Sequence, residues 1–245
     1  MDFALNEDQL ELKQSARAWL ADRFPLERDW EHQDDRWEEL GELGWLDVAE
    51  AGLGFVEEVL LLEEMGYALY PGFFLGHVAS LAAGGDVATV DPTRPLPEVE
   101  ETPRFRAAAA AEALGVAQRA LDLGVDHAKT RTQFGKPIGT YQAVSHPLAQ
   151  TYTDVELSRS LVYWAAWCVA EEDERAPVAA AAAKAFASEA AVAACERSIQ
   201  AHGGIGFTWE HPLHRFYKRA LWLEGIGARP AELRLEVAES LVAGR

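Results

Sequence analysis

The chain has 245 residues, 49% of them hydrophobic and 25% charged, enough for a sizeable buried core in one large domain or two small ones. Its net charge of −18 sits almost wholly in residues 1–100, which hold 6 Lys+Arg against 23 Asp+Glu, whereas residues 101–245 are nearly balanced at 16 against 17. Nucleic acid is excluded as a partner of such a surface, because phosphate binding depends on lysine and arginine, and any anionic ligand is expected on the second part.

No apolar run approaches the roughly 20 residues of a membrane-spanning helix, and the acidic, amphipathic start "MDFALNEDQLELKQ" has the character of neither a secretory signal nor a transit peptide. Cys168 and Cys195 fall in helical contexts without metal-ligand spacing, and read as reduced thiols of a cytoplasmic protein. No histidine follows a glutamate by three residues, so the di-iron signature of helical bundles is missing and no metal is expected.

In chain order, Asn6 is a candidate N-cap for a helix with Leu10, Ala16, Trp19 and Leu20 along its apolar stripe. A second run, "GFVEEVLLLEEMGYALYP", places Val56, Leu60, Glu63/Glu64 and Tyr67 at helical spacing before Pro71 and Gly72. Residues 1–83 thus form a small helical domain. From Gly84 to Pro103 four prolines and no helical stripe indicate an extended linker. Residues 104–245 are almost continuous helix. Leu114, Ala117, Leu121 and Val125 mark a helix ending at Thr130. Val144, Leu148, Val155, Val162 and Val169 mark one from about Gln142 to Ala170. Pro177 suits the first turn of an alanine-rich helix over 176–201, packed through Phe186, Val192, Cys195 and Ile199, and two shorter helices cover roughly 212–223 and 230–243. The expected fold is all-α, a small N-terminal helical domain followed by an antiparallel four-helix-type bundle.

Two stretches between these helices carry chemistry. The loop "RTQFGKPIGTYQAV" sets Arg131, which can grip a phosphate bidentately, beside Phe134, which can stack on a flat heterocycle or pack in the core, with Gly135, Gly139 and Pro137 shaping the turn. The turn "QAHGGIG" offers the Gln200 amide and the Gly203–Gly204 backbone. Taken alone it is ordinary helix C-capping, and it is no dinucleotide fingerprint, because no strand precedes it and no helix opens from it.

Together the two stretches resemble the C-terminal helical domain of the acyl-CoA dehydrogenase family of flavoproteins, through "AAAAAEALGVAQRALDLGVDHAKTRTQFGKPIGTYQAVSHPLA" and "SIQAHGGIGFTWEHPLHRFYKRA". The first part resembles that family's N-terminal domain through "FALNEDQLELKQSARAWLADR", "LGELGWLDV" and "LLLEEMGYALYPGFFLGHVA". The resemblance implies that Arg131 meets the FAD pyrophosphate, that Gln133, Phe134, Ile138, Tyr141 and Val144 surround the adenosine end, and that Gln200, Gly203 and Gly204 close over it with His202 lining the pocket. In the family this clamp holds FAD seated in a neighbouring subunit. The family also carries a β-domain of about 100 residues between its helical domains, and the interval at 84–103 is too short for any sheet domain.

The family's base is often the glutamate of an "EGT" tripeptide, for which Glu224 in "LWLEGIGARP" is the candidate. Its spacing from Tyr217 is about three residues short, almost one helical turn, and Ile226 stands where the family has threonine, so an ordinary glutamate near a helix end is the favoured reading. These departures imply one subunit of a heteromeric, α2β2-type acyl-CoA dehydrogenase, similar to those of steroid side-chain catabolism. A full-length paralogue would supply the flavin-ring platform and the base for α,β-dehydrogenation of an acyl-CoA, with an electron-transfer flavoprotein or similar acceptor. The rival readings are a helical scaffold subunit that binds no flavin and a stand-alone bundle that binds CoA or another nucleotide.

Overall fold

The computed structural model describes residues 5–31, 34–50, 52–72, 74–83 and 99–244. Asn6 opens helix α1 (Glu7–Arg23): its side chain accepts from the Gln9 N–H at 2.8 Å, and the Gln9 side chain accepts from the Asn6 N–H at 3.1 Å. Ala16 and Leu20 are buried as the stripe requires, but Leu10 is 45% exposed and faces a groove instead of the core. Helices α2 (Trp37–Glu42), α3 (Phe55–Ala68) and α4 (Phe74–Ala83) complete the N-terminal part. Helix α3 stops where Leu69 takes a left-handed conformation, just ahead of Pro71.

The expected linker lies largely outside the described residues. Where the chain is described again, the Thr102 side chain accepts from the Phe105 N–H at 3.1 Å and Pro103 is the first residue of α5 (Pro103–Thr130), so the long helices begin at 103. Helices α6 (Gln142–Ala170) and α7 (Ala176–His202) follow through short connections, then α8 (Leu213–Gly225) and α9 (Pro230–Val242). α5 and α7 form the central pair, with α6 against both, α8 and α9 on α7, and α3 laid along α5. Small side chains permit that density: α7 buries ten alanines and both cysteine thiols are free and buried. One hydrophobic cluster runs without a break from Ala16 to Ile226. The only strands among the described residues are the two-residue pair β1 (Thr132–Gln133) and β2 (Lys136–Pro137), so the all-α expectation holds.

Contrary to the expectation that no apolar run approaches spanning length, the stretch Ala176–Phe207 is long and apolar enough to cross a membrane by length and composition, with a mean hydropathy of 1.4 in its 18-residue window; 67% of that window is buried among the other helices.

α3 and α5 touch backbone to backbone. A Cβ added to Gly115 would lie 1.9 Å from the Glu63 carbonyl oxygen, and one added to Gly66 would lie 2.1 Å from that of Glu112, so only glycine fits at either position. Around this crossing four glutamates of α3 and α5 turn inward. Glu58, Glu63, Glu64 and Glu112 are all buried, and each is paired with a cation from another helix. Glu58 takes Arg104, Glu64 takes Arg17, and Glu112 takes Arg219. Glu63 accepts from Lys13 at 2.6 Å, from the Tyr163 hydroxyl at 2.7 Å and from Arg159. Part of the surplus acid of residues 1–100 is therefore neutralised by bases of the second part.

Candidate functional site

The loop after α5 is a miniature hairpin. Thr132 pairs with Pro137 and Gln133 with Lys136, which leaves Phe134 and Gly135 as a two-residue turn with φ of 51° and 78°. Two successive positive φ angles make a primed turn, whose twist suits paired strands but which favours asparagine or glycine at its first position. Phenylalanine in the left-handed region is strained. It gains no burial in return, for Phe134 is 93% exposed. Packing in the core is thereby ruled out for this residue, and strain held without a packing reward is a mark of function.

The loop is otherwise well fixed. Arg131 N–H donates to His127 O at 2.8 Å and Ile138 N–H to Arg131 O at 2.8 Å. The Tyr141 hydroxyl donates to Gln133 O at 3.3 Å, Lys136 lies 4.4 Å from the Tyr141 ring centre, and Phe134 meets Tyr141 edge-on at 6.4 Å. Gly139 lies against α5, where a Cβ would stand 3.0 Å from Ala128 O. The Arg131 guanidinium is exposed and forms no ion pair among the described residues. Gln133 is exposed too, while Ile138, Tyr141 and Val144 are half-buried along the loop and the start of α6.

At the end of α7, Gly203 adopts φ 66° and closes the helix onto Gln200 O and Ile199 O; a 3-10 turn over Gly203–Phe207 follows. Gln200, Gly203 and Gly204 are exposed, and the space beside both glycines is open for 4 Å. Beyond them Phe207 and Trp209 stand 71% and 73% exposed. The Arg215 and Lys218 cations lie 5.5 and 4.5 Å from the Trp209 ring centre. The run "GFTW", one residue after the paired glycines, is the sequence signal for these two aromatics.

The loop and the turn are neighbours because α5 and α7 pack together and their last rings meet. His127 stacks on His202 at 4.1 Å between centroids, and His211 adjoins His202 at 4.4 Å. Burial lowers the pKa of all three rings, helped at His127 by His202 and Arg131 and at His211 by the neighbouring rings; His211 is held at about 4. His202 therefore sits within this joint, and His211 belongs with it. His214 instead packs edge-on against Trp209 at 4.5 Å.

Glu224 is placed apart. It ends α8 beside a cavity of about 410 Å³ with Glu189, Gly225, Arg229, Pro230 and Ala231, and no residue of the loop or the turn lines that space. Burial and the charges of Glu189 and Glu196 raise its pKa. A groove of about 790 Å³ runs along the other side of the hairpin, from Tyr67 and Arg119 to Gly139 and Tyr152. Among the described residues no cluster of histidine, cysteine or carboxylate groups could hold a metal.

The donor set suits a nucleotide diphosphate: an uncommitted guanidinium, a bare glycine backbone with an adjacent amide side chain, and an aromatic ring presented to solvent. The residues present thus fit the ADP portion of FAD.

Residues 100–236 match the model of the acyl-CoA dehydrogenase C-terminal domain, and residues 6–88 that of the acyl-CoA dehydrogenase N-terminal domain. Acyl-CoA dehydrogenase IpdE2 of Mycobacterium tuberculosis is 44% identical over 146 residues, covering 55% of this chain and 44% of that protein. The probable acyl-CoA dehydrogenase YngJ of Bacillus subtilis is 41% identical over 140 residues, 56% of this chain and 36% of its own length. The chain thus spans less than half the length of these relatives. A solved structure described as a variant of the Tcur3481-Tcur3483 steroid ACAD superposes with a TM-score of 0.80 at 25% identity, over 98% of this chain and 99% of that one. The ChsE4-ChsE5 complex from Mycobacterium tuberculosis gives 0.80 at 20% identity, over 99% of each chain, and shares the fold. With more than half of its length matched by one of the family's domain models, the chain belongs to the acyl-CoA dehydrogenase family.

Proposed function

We propose that this chain is the FAD-clamping subunit of a heteromeric acyl-CoA dehydrogenase, acting on a flavin seated in a full-length paralogue. The observation that carries the reading is Phe134, a strained and fully presented aromatic close in sequence to Arg131, which has no ion pair among the described residues, with the open Gly203–Gly204 turn at the adjoining end of α7. Arg131 would hold the pyrophosphate, Gln133, Phe134, Ile138, Tyr141 and Val144 the adenosine, and Gln200 with Gly203 and Gly204 the far side. FAD, when bound, supplies the hydride acceptor for α,β-dehydrogenation of an acyl-CoA thioester. This chain's residues orient its distal half and keep water from the pyrophosphate. Support for a heteromer comes from the paired names of the Tcur3481-Tcur3483 and ChsE4-ChsE5 neighbours, and the first of these also suggests a steroid acyl group.

Glu224 has no part in the clamp, and the base is assigned to the paralogue. A scaffold that binds no flavin has no need of Phe134 in its costly conformation.

Co-expression with a full-length acyl-CoA dehydrogenase from the same genome tests this. A yellow heteromer is expected, and Arg131→Ala should weaken FAD retention by about 10- to 100-fold, the worth of a charge-assisted hydrogen-bonded contact. Flavin bound by the chain alone would overturn the heteromer, and undiminished retention in Arg131→Ala would overturn the clamp.

A further inference from the structure

We infer that His127, His202 and His211 form a ring strut that holds the two walls of the proposed clamp together, and that protonation of this strut parts them and releases the nucleotide as pH falls. The nucleotide half of this inference rests on the clamp reading; the strut itself rests on geometry alone.

Each ring belongs to a different part of the joint. His127 lies in the last turn of α5, and its carbonyl accepts the Arg131 N–H, so its position sets the start of the hairpin. His202 ends α7, between Gln200 and Gly203. His211 precedes α8 and meets His202 at a tilt of 50°. The three rings are thus in contact in turn, a short column that joins the arginine wall and the glutamine wall to the N-terminus of α8.

Hydrogen bonding favours the neutral ring at His211, while at His202 it works against burial. His202 Nδ1 donates to Ser198 O at 2.8 Å, since a carbonyl can only accept. His211 Nδ1 accepts from the Leu213 N–H at 3.3 Å, so its proton is on Nε2. A second proton on His211 has to go to Nδ1, which removes the acceptor and leaves the first N–H of α8 without a partner. It also sets a cation at the positive end of that helix. The helix ends of α5 and α7, and the Ser198 bond at His202, favour charge on His127 and His202, but burial outweighs them, with ring-to-ring repulsion added at His127 and His211, as all three rings are held below the ordinary histidine range. The groups acting on the column disfavour a further positive charge: Arg131 acts on His127 and His214 on His211, with Arg215 and Lys218 acting in turn on His214. Asp126 and Glu210, adjacent in sequence to two of the rings, are exposed. Among the described residues no carboxylate is among the groups that act on the three rings.

The sign follows from linkage. A ring whose folded pKa lies below its unfolded value supports the closed joint fully above pH 6.5 and gives up that support as pH falls toward 4.

Amide hydrogen exchange of the full chain at pH 7.5 and 5.0, corrected for intrinsic rates, tests the strut without flavin. Opening over 127–131 and 199–214 should rise about 30-fold at pH 5.0, the ratio that a fall from 6.5 to about 4 gives for His211, while core amides of α3 change little. His211→Asn, which keeps an acceptor for Leu213 but does not titrate, should cut the rise to the smaller share left by His127 and His202. A pH-independent wild type, or an equal rise in His211→Asn, overturns the strut. In the co-purified complex, FAD should be lost at pH 5.0 from wild type and retained by His211→Asn. A complex without flavin at any pH would sink the clamp reading and leave the exchange data to decide the strut.

Discussion

Replacing Glu63 by glutamine keeps its shape and removes the one charge that two helices depend on. Glu63 is 1% exposed and accepts from Lys13, Arg159 and the Tyr163 hydroxyl. Burial pushes its carboxyl up, but the Lys13 and Arg159 charges with their hydrogen bonds outweigh it and hold the group below the usual carboxylate range. Breaking a buried pair by removing one partner costs about 3–5 kcal/mol. Here the stranded cations keep some company: Arg159 still donates to Gln118 at 2.7 Å, Lys13 stays 3.9 Å from Glu64, and both border an open groove. The cost is therefore placed at about 2–3 kcal/mol, which for a chain of this length lowers Tm by about 5–10 °C. Thermal melts followed by circular dichroism at pH 7 measure it. Because the carboxyl's folded pKa lies below its unfolded value, its support is complete above about pH 4.3 and is lost as pH falls further, so the gap between Glu63→Gln and wild type must close in acid. A Tm loss under 2 °C at pH 7, or a gap that persists to pH 3, would refute the reasoning.

Phe134→Asn should act in opposite directions on stability and on cofactor. Asparagine tolerates the left-handed conformation, so the isolated chain should gain about 0.5–1 kcal/mol and melt about 2 °C higher, while the heteromer retains less flavin; a lower Tm would mean that the turn is not strained. Lys184 is fully buried, donates to Ala228 O at 2.7 Å, and is held by burial at about 8. Its folded pKa lies below its unfolded value, so stability relative to Lys184→Met should rise by about 2 kcal/mol between pH 8 and 10.5. Urea melts across that range check it, and a flat difference contradicts it.

The local signals in the sequence were enough for most helices. Asn6, Pro177 and the 142–170 stripe mark ends and faces by chemistry that acts within four residues. The buried carboxylates were not legible for the opposite reason. Glu63 meets Arg159 across 96 residues and Glu112 meets Arg219 across 107, so nothing local to either glutamate names the cation that makes its burial possible. Leu10 failed for a related cause, since periodicity says which residues share a face but not which end of that face is covered. At the candidate site, Gly135 and Pro137 announced a turn, but not that Phe134 would stand at its tip, because the primed geometry is imposed by the pairing of Gln133 with Lys136. The histidine column joins positions 127, 202 and 211, and no local pattern links them.

The glycine crossing of α3 and α5 bears on what the segment at 84–98 is for. Gly66 and Gly115 bring the two backbones into contact, and Glu58, Glu63 and Glu112 tie that seam to Arg104, Arg159 and Arg219. The two halves are joined by this seam and not by the covalent connection alone. A chain nicked by protease within 84–98 should therefore run as one species in native gel filtration and separate only in denaturant, behaving as a two-piece complex assembled without a tether.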